Sequence, residues 1–269
     1  MYKKYGVAEK IWEIAYPVLM YYVAITMGSL VAQLFLGTGI ETYMLCKVVG
    51  SLVAIPVVYM DYKRDLMLMG RYEPKMFHVK RIRKAINKET WMHLGFVITI
   101  TLFLSVALNN LISMSPLVGV SEEYQNASDA FYGSTIGIEL LGSALITPFL
   151  EELLHRGVVY GRLRRMMDIV PSILVSALIF AGLHFNIVQF IYAFLLGLVL
   201  AFFVERSGKL YPAVIAHIAA NGLAVIRTET GFLAGTVDGS VSAWLISVGC
   251  LCIGTGLLMA YHGKQKKVE

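Results

Sequence analysis

Charge is what this 269-residue chain has least of: Asp, Glu, Lys and Arg make up 15% of it, against 57% hydrophobic residues. Soluble domains carry about 25% charged residues, so an ordinary water-soluble globule is excluded. Cysteine is scarce as well. Cys46, Cys250 and Cys252 lie in or at the ends of apolar runs, and the last two face different sides of one helix, so neither a disulfide framework nor a cysteine metal site is expected. The chain also lacks an internal repeat, a low-complexity linker and any His-Glu-x-x-His motif. The alternating segments of about 10 residues that mark a membrane barrel are missing too.

What is present is a set of long runs without charge. Ile14–Ile40 and Val241–Tyr261 have none, and Thr90–Ser121 has only the titratable His93. Each run is near or above the roughly 20 residues that a helix needs to cross a bilayer, and helices are the spanning form that satisfies its own backbone. The fold class read from this is all-α, a polytopic membrane helix bundle. Spans are expected near Tyr16–Leu36, Tyr43–Met60, Met92–Met114, Thr135–Arg162, Leu210–Ile226 and Val241–Tyr261. The run Ile169–Val204 is too long for one span and is interrupted by Gly182, His184 and Asn186, so it divides into two, the first of them short or tilted. That makes about eight spans.

The cations order these spans, because Lys and Arg gather on the cytoplasmic side. With the N-terminus and C-terminus both inside, 20 of the 23 Lys and Arg residues fall on the cytoplasmic side; Lys47, Arg156 and Arg227 do not. Six carboxylates, Glu41, Glu122, Glu123, Asp129, Glu229 and Asp238, fall outside. The chain then reads as residues 1–134 with three spans and a basic cytoplasmic loop at 61–90, a core of four spans at 135–226, and a last span with a basic tail at 227–269. Met76, Phe77, Val79, Ile82 and Ile86 lie among the basic residues of that loop and predict an interfacial amphipathic helix. The net charge of +5 follows the cytoplasmic loops, which points to anionic lipid headgroups and not to nucleic acid. The first apolar run is long and has no small-residue cleavage site, so it is expected to stay as an anchor. Localisation is expected to be an integral multi-pass membrane protein, in the plasma membrane if the source is bacterial.

Three core spans carry polar side chains that cost about 2.5 to 3.5 kcal/mol or more at a bilayer centre, so function is sought there. In Glu151-Glu152-Leu153-Leu154-His155-Arg156, Glu152 and Arg156 are four apart and share a helix face, so they can pair, while Glu151 lies about 100° around and is free to face a cavity. Phe180 and His184 share a face in the same way, as do His217 and Asn221. Taken alone, each has a structural reading: a charge cluster at the membrane face, a hydrogen-bonded histidine, an interhelical polar bridge. Counted from the cytoplasmic helix ends, Glu151 is about 16 Å deep, His184 about 20 Å and His217 about 12 Å. One carboxylate, two imidazoles and a carboxamide at one depth, open toward the cytoplasm, suit amide hydrolysis, in which a base activates water and donors hold the oxyanion.

Glu-Glu-x-x-x-Arg, Phe-x-x-x-His and His-x-x-x-Asn, in that order on separate membrane helices, resemble the CPBP family, the CAAX prenyl proteases and bacteriocin-processing enzymes also called Abi proteins. The likeness covers about Thr135 to Asn221, with Gln189–Phe194 and Gly197 also similar, and departs at His155, where an aromatic such as Phe is expected. The resemblance implies an intramembrane glutamic endopeptidase. In it Glu151 and His184 position and activate water, His217 and Asn221 hold the oxyanion, and Glu152, Arg156 and Phe180 support the site. It implies a peptide or lipidated protein as substrate, and no cofactor. The residues themselves leave zinc open, held by Glu151, His184 and His217. They also leave open a non-catalytic membrane scaffold, and a proton-coupled transporter relaying through Glu139, Glu151 and His184, although the inverted repeat typical of transporters is missing.

Overall fold

The computed structural model describes residues 6–69 and 88–265, and every regular element among them is helical. They are α1 (Val7–Leu36), α2 (Ile40–Leu68), α3 (Lys88–Ser113), α4 (Glu122–Phe131), α5 (Ile136–Leu163), α6 (Ile169–Gly182), α7 (Ile187–Ser207), α8 (Tyr211–Thr230) and α9 (Val241–Gln265), with short helical turns at Leu117–Val120 and Ala234–Thr236. All but α4 coincide with the eight apolar segments read from the sequence. Five of them, α1, α2, α3, α7 and α9, are long and apolar enough to cross a bilayer, or six spans if α4 and α5 are taken together as one bent span. The helices that fall short do so for visible reasons. α6 has only 14 residues, about 21 Å at 1.5 Å per residue, whereas α5 and α8 carry the charged and polar motif side chains.

The expected loop at 61–90 is helical at both ends, since α2 runs on to Leu68 and α3 starts at Lys88. For α2 the reason lies in Arg162 of α5, which is fully buried and gathers the extended ends of α1 and α2. It donates to Asp65 at 2.7 Å, to Asp61 at 3.1 Å and to the Glu13 carbonyl at 2.7 Å. Polar residues past the apolar run thereby gain partners that keep the helices going. The interfacial helix expected around Met76, Phe77, Val79, Ile82 and Ile86 lies outside the described residues.

Two apolar clusters hold the bundle. Tyr21, Ala54, Val58, Leu150, Leu153, Leu154 and Val158 join α1, α2 and α5, while Val97, Ile100, Leu104, Leu196, Leu200, Ala216 and Tyr261 join α3, α7, α8 and α9. Close backbone approach matters in the first: a Cβ on Gly28 would lie 2.8 Å from the Gly50 Cα, the small-residue contact that membrane helices favour. Outward, Leu19, Val23, Met27, Leu30 and Leu34 of α1 are exposed, which is an apolar face made for lipid. The chain is an integral, multi-pass membrane protein. Cys46, Cys250 and Cys252 are all free thiols.

Candidate active site

Between the two clusters, the facing sides of α5 and α8 carry polar groups. α5 is not a regular α-helix: turns of π-helix occupy Leu140–Ile146 and Leu153–Tyr160, on either side of Thr147–Glu152. Such wide turns insert an extra residue and recur at functional sites. The two neighbouring carboxylates end in different surroundings. The Glu152 side chain is fully buried, whereas that of Glu151 keeps 15% exposure and lines a cleft.

Glu152 is the hub of the buried side. Its Oε1 accepts from Arg156 Nη1 at 2.9 Å and from His217 Nδ1 at 2.9 Å, so it bridges α5 and α8. The second guanidinium nitrogen of Arg156 donates to the Gly197 carbonyl of α7 at 3.1 Å, and a Cβ on Gly197 would stand 3.1 Å from that nitrogen. Glycine is what lets α7 come this close. The i, i+4 pair expected from the sequence is formed, and His217 extends it to a third partner.

Phe180 ties the imidazoles together. Its ring makes edge contacts with His155 at 5.0 Å, His184 at 5.1 Å and His217 at 5.6 Å, and the Arg156 guanidinium sits 4.5 Å over its face, a favourable cation–π position. His155 thus fills, with an imidazole, the place where an aromatic is expected. Its Nδ1 bonds the Glu151 carbonyl at 2.8 Å.

His184 stands in the break between α6 and α7, which the interrupted run predicts. α6 ends at Gly182, Asn186 caps α7 by accepting from the Gln189 amide at 2.8 Å, and Phe185 takes a φ of 55°, a left-handed value uncommon for a bulky residue. Tyr22 of α1 holds the break by donating to the Leu183 carbonyl at 3.2 Å. A carbonyl only accepts, so His184 Nδ1, 3.0 Å from the Phe180 oxygen, is its donor, and neutral His184 offers Nε2 as an acceptor. The same logic applies to His217, whose Nδ1 serves the Glu152 carboxylate. His217 Nε2 then lies 3.8 Å from Glu151 Oε2 and becomes a donor only when the ring is doubly protonated. Asn221 uses one amide hydrogen on the Ser143 carbonyl at 2.9 Å.

Glu151, Phe180, His184, His217 and Asn221 all line the same cleft, of about 1040 Å³ with its open mouth included. Glu152 and Arg156 support it from behind. The chemical content is a carboxylate, two imidazole nitrogens and a carboxamide around one space. Glu151, His184 and His217 do not converge as metal ligands, and no group of three His, Cys, Asp or Glu among the described residues does.

Sequence reasoning missed several residues of the cleft. Lys47, read only as an outer-end cation, lines it with its ammonium 3.8 Å over the Phe131 ring. Asn109, Tyr124 and Tyr132 also line it, from segments that carry no motif. Ser143 acts through its carbonyl, which side-chain identity does not reveal. The sequence predicts a site open toward the cytoplasm. Beyond the motif residues the walls of the cleft include the last turn of α3, the inner side of α4, Tyr132 and the first half of α7 from Val188 to Leu196, which lie toward the bundle end remote from Arg162 and the basic loops. Depth counted along a helix gives a level but not the end toward which the helices part.

Three comparisons bear on this region. A family model described as "Type II CAAX prenyl endopeptidase Rce1-like" matches residues 133–223, which hold every motif residue above. A protein of Bacillus subtilis (strain 168) that carries the name "Putative membrane peptidase YdiL" is 24% identical over 91 residues, covering 34% of this chain and 37% of that protein. The chain is thus matched over little more than a third of that relative's length. No solved structure matches.

Proposed function

We propose that this chain, similar over residues 133–223 to type II CAAX prenyl endopeptidases, is an intramembrane endopeptidase that cleaves a membrane-associated peptide or protein with water activated by Glu151. The observation that carries this reading is the convergence of Glu151, His184, His217 and Asn221 on one cleft, with Glu152 and Arg156 sealed behind it. A scaffold gives no reason for a carboxylate left open to the cleft beside a buried one whose Oε1 already holds Arg156 and His217.

In this reading a water molecule sits between the Glu151 carboxylate and Nε2 of His184. Glu151 takes one of its protons as the water oxygen attacks the scissile carbonyl carbon, the work of a general base. The carbonyl oxygen becomes an oxyanion, met by the second amide hydrogen of Asn221 and by Nε2–H of His217 in its doubly protonated form. When the intermediate collapses, the C–N bond breaks and Glu151 returns its proton to the leaving amine. Arg156 and Glu152 hold His217 in orientation throughout, and no metal takes part in any step.

The experiment is a comparison, by mass spectrometry, of secreted and membrane-bound peptides from cells carrying the wild type or Glu151→Ala. A peptide whose cleavage disappears with the carboxylate supports the reading and identifies the substrate. Identical peptide sets at equal expression refute it.

A further inference from the structure

The two ends of the bundle differ in charge, and hydrogen bonds fix which helix ends lie together. At one end Arg162 joins α5 to Glu13, Asp61 and Asp65, and Arg164 joins it to Glu205 of α7 at 3.2 Å. The segments leaving this end hold 20 of the 23 Lys and Arg residues. At the other end the Ser134 hydroxyl donates to the Glu41 carbonyl at 2.6 Å, and Thr236 meets Asn110 at 3.3 Å. There lie Glu41, Glu122, Glu123, Asp129, Glu229 and Asp238, with Arg227.

Glu151 is 15 residues from Ile136 and 11 from Arg162, so at 1.5 Å per residue it is about 22 Å from one end of α5 and about 16 Å from the other. Depth does not choose a side, but the walls of the cleft do. Asn109 and Ser113, in the last turns of α3, line the cleft, and α4, bent 107° from α5, walls it at the same end. Tyr124, Ser128 and Phe131 of α4 line the cleft, while Glu122, Glu123, Asn126 and Asp129 on its other side are exposed. No residue of the basic end lines the cleft among those described.

Since Lys and Arg mark the cytoplasmic side, we propose that the cleft opens to the extracytoplasmic side, and that its substrate is an exported or membrane-anchored peptide presented there, not a chain tail displayed in the cytoplasm. The opening rests on geometry and charge alone; the word substrate rests on the protease reading above. A peptide coming from that side passes beneath α4 and alongside Lys47 before it meets Glu151.

The test is cysteine labelling of the full chain in intact bacterial cells, with Cys46, Cys250 and Cys252 replaced by alanine and single cysteines introduced as Asn126→Cys on the outer side of α4, Ser128→Cys in the mouth, or Lys209→Cys at the basic end. A membrane-impermeant maleimide is expected to label the first two in intact cells and the third only after permeabilisation. The reverse pattern overturns the proposal, as does labelling of Ser128→Cys only after permeabilisation when Asn126→Cys labels from outside. Circular dichroism of each purified variant, matched to wild type, certifies the fold before its labelling is read. None of these outcomes depends on cleavage. A chain that labels as expected yet cleaves no peptide keeps the opening and refutes the protease reading alone.

Discussion

Glu152 and His217, 65 residues apart on different helices, meet through a 2.9 Å contact between Oε1 and Nδ1. The same oxygen accepts from Arg156, so one buried carboxylate orients a cleft imidazole and neutralises a buried guanidinium. Removing it leaves Arg156 without its counter-charge, which in a buried pair costs about 3 to 5 kcal/mol. Glu152→Ala should therefore lower the unfolding temperature of detergent-solubilised protein clearly, and activity with it. An unchanged melting curve would mean that the pair contributes nothing to the fold.

Asn221 has one amide hydrogen fixed on Ser143, and the proposed mechanism gives the other to the oxyanion. Loss of a single oxyanion donor typically costs about 100- to 1,000-fold in kcat. Asn221→Ala should show a loss of that order with KM changed little, measured on a peptide that the wild type cleaves. A change confined to KM would assign Asn221 to substrate binding instead.

The His155 side chain is buried against Phe180, and its Nδ1 bonds the main-chain carbonyl of Glu151 in its own helix. Its work is that of an aromatic ring. His155→Phe should keep both the fold and the cleavage rate to within about threefold, since a near-isosteric aromatic swap in a core usually costs less than about 1.5 kcal/mol. A loss of activity as deep as that of Asn221→Ala would give the imidazole a chemical role.

Because Glu151, His184 and His217 do not converge as metal ligands, treatment of the purified protein with a strong chelator, followed by its removal, should leave cleavage unchanged. Recovery of a lost rate on adding back zinc would restore the two-histidine, one-carboxylate reading.

Most helices were legible in the sequence, because charge-free runs are long and the chain has little charge to blur them. The α6–α7 break was legible for a specific reason: Gly182, His184 and Asn186 interrupt the run, and Asn186 became the cap of α7. Motif residues could be paired from their spacing of four, and Glu152–Arg156 and the shared cleft of His217 and Asn221 follow that spacing. The π turns of α5 have no compositional mark, since they depend on how neighbouring helices crowd it. Lys47 and Tyr124 reach the cleft from segments distant in sequence, brought there by tertiary packing that no local pattern encodes.

The central claim, that Glu151 activates the attacking water, is tested most directly by one pair of rates. Wild type and Glu151→Gln, purified and reconstituted in proteoliposomes, are compared on the peptide whose processing is lost in Glu151→Ala cells. Glutamine keeps the shape but cannot take the proton. The expected result is loss of detectable cleavage at an unchanged melting temperature; a Glu151→Gln rate equal to that of wild type would contradict it.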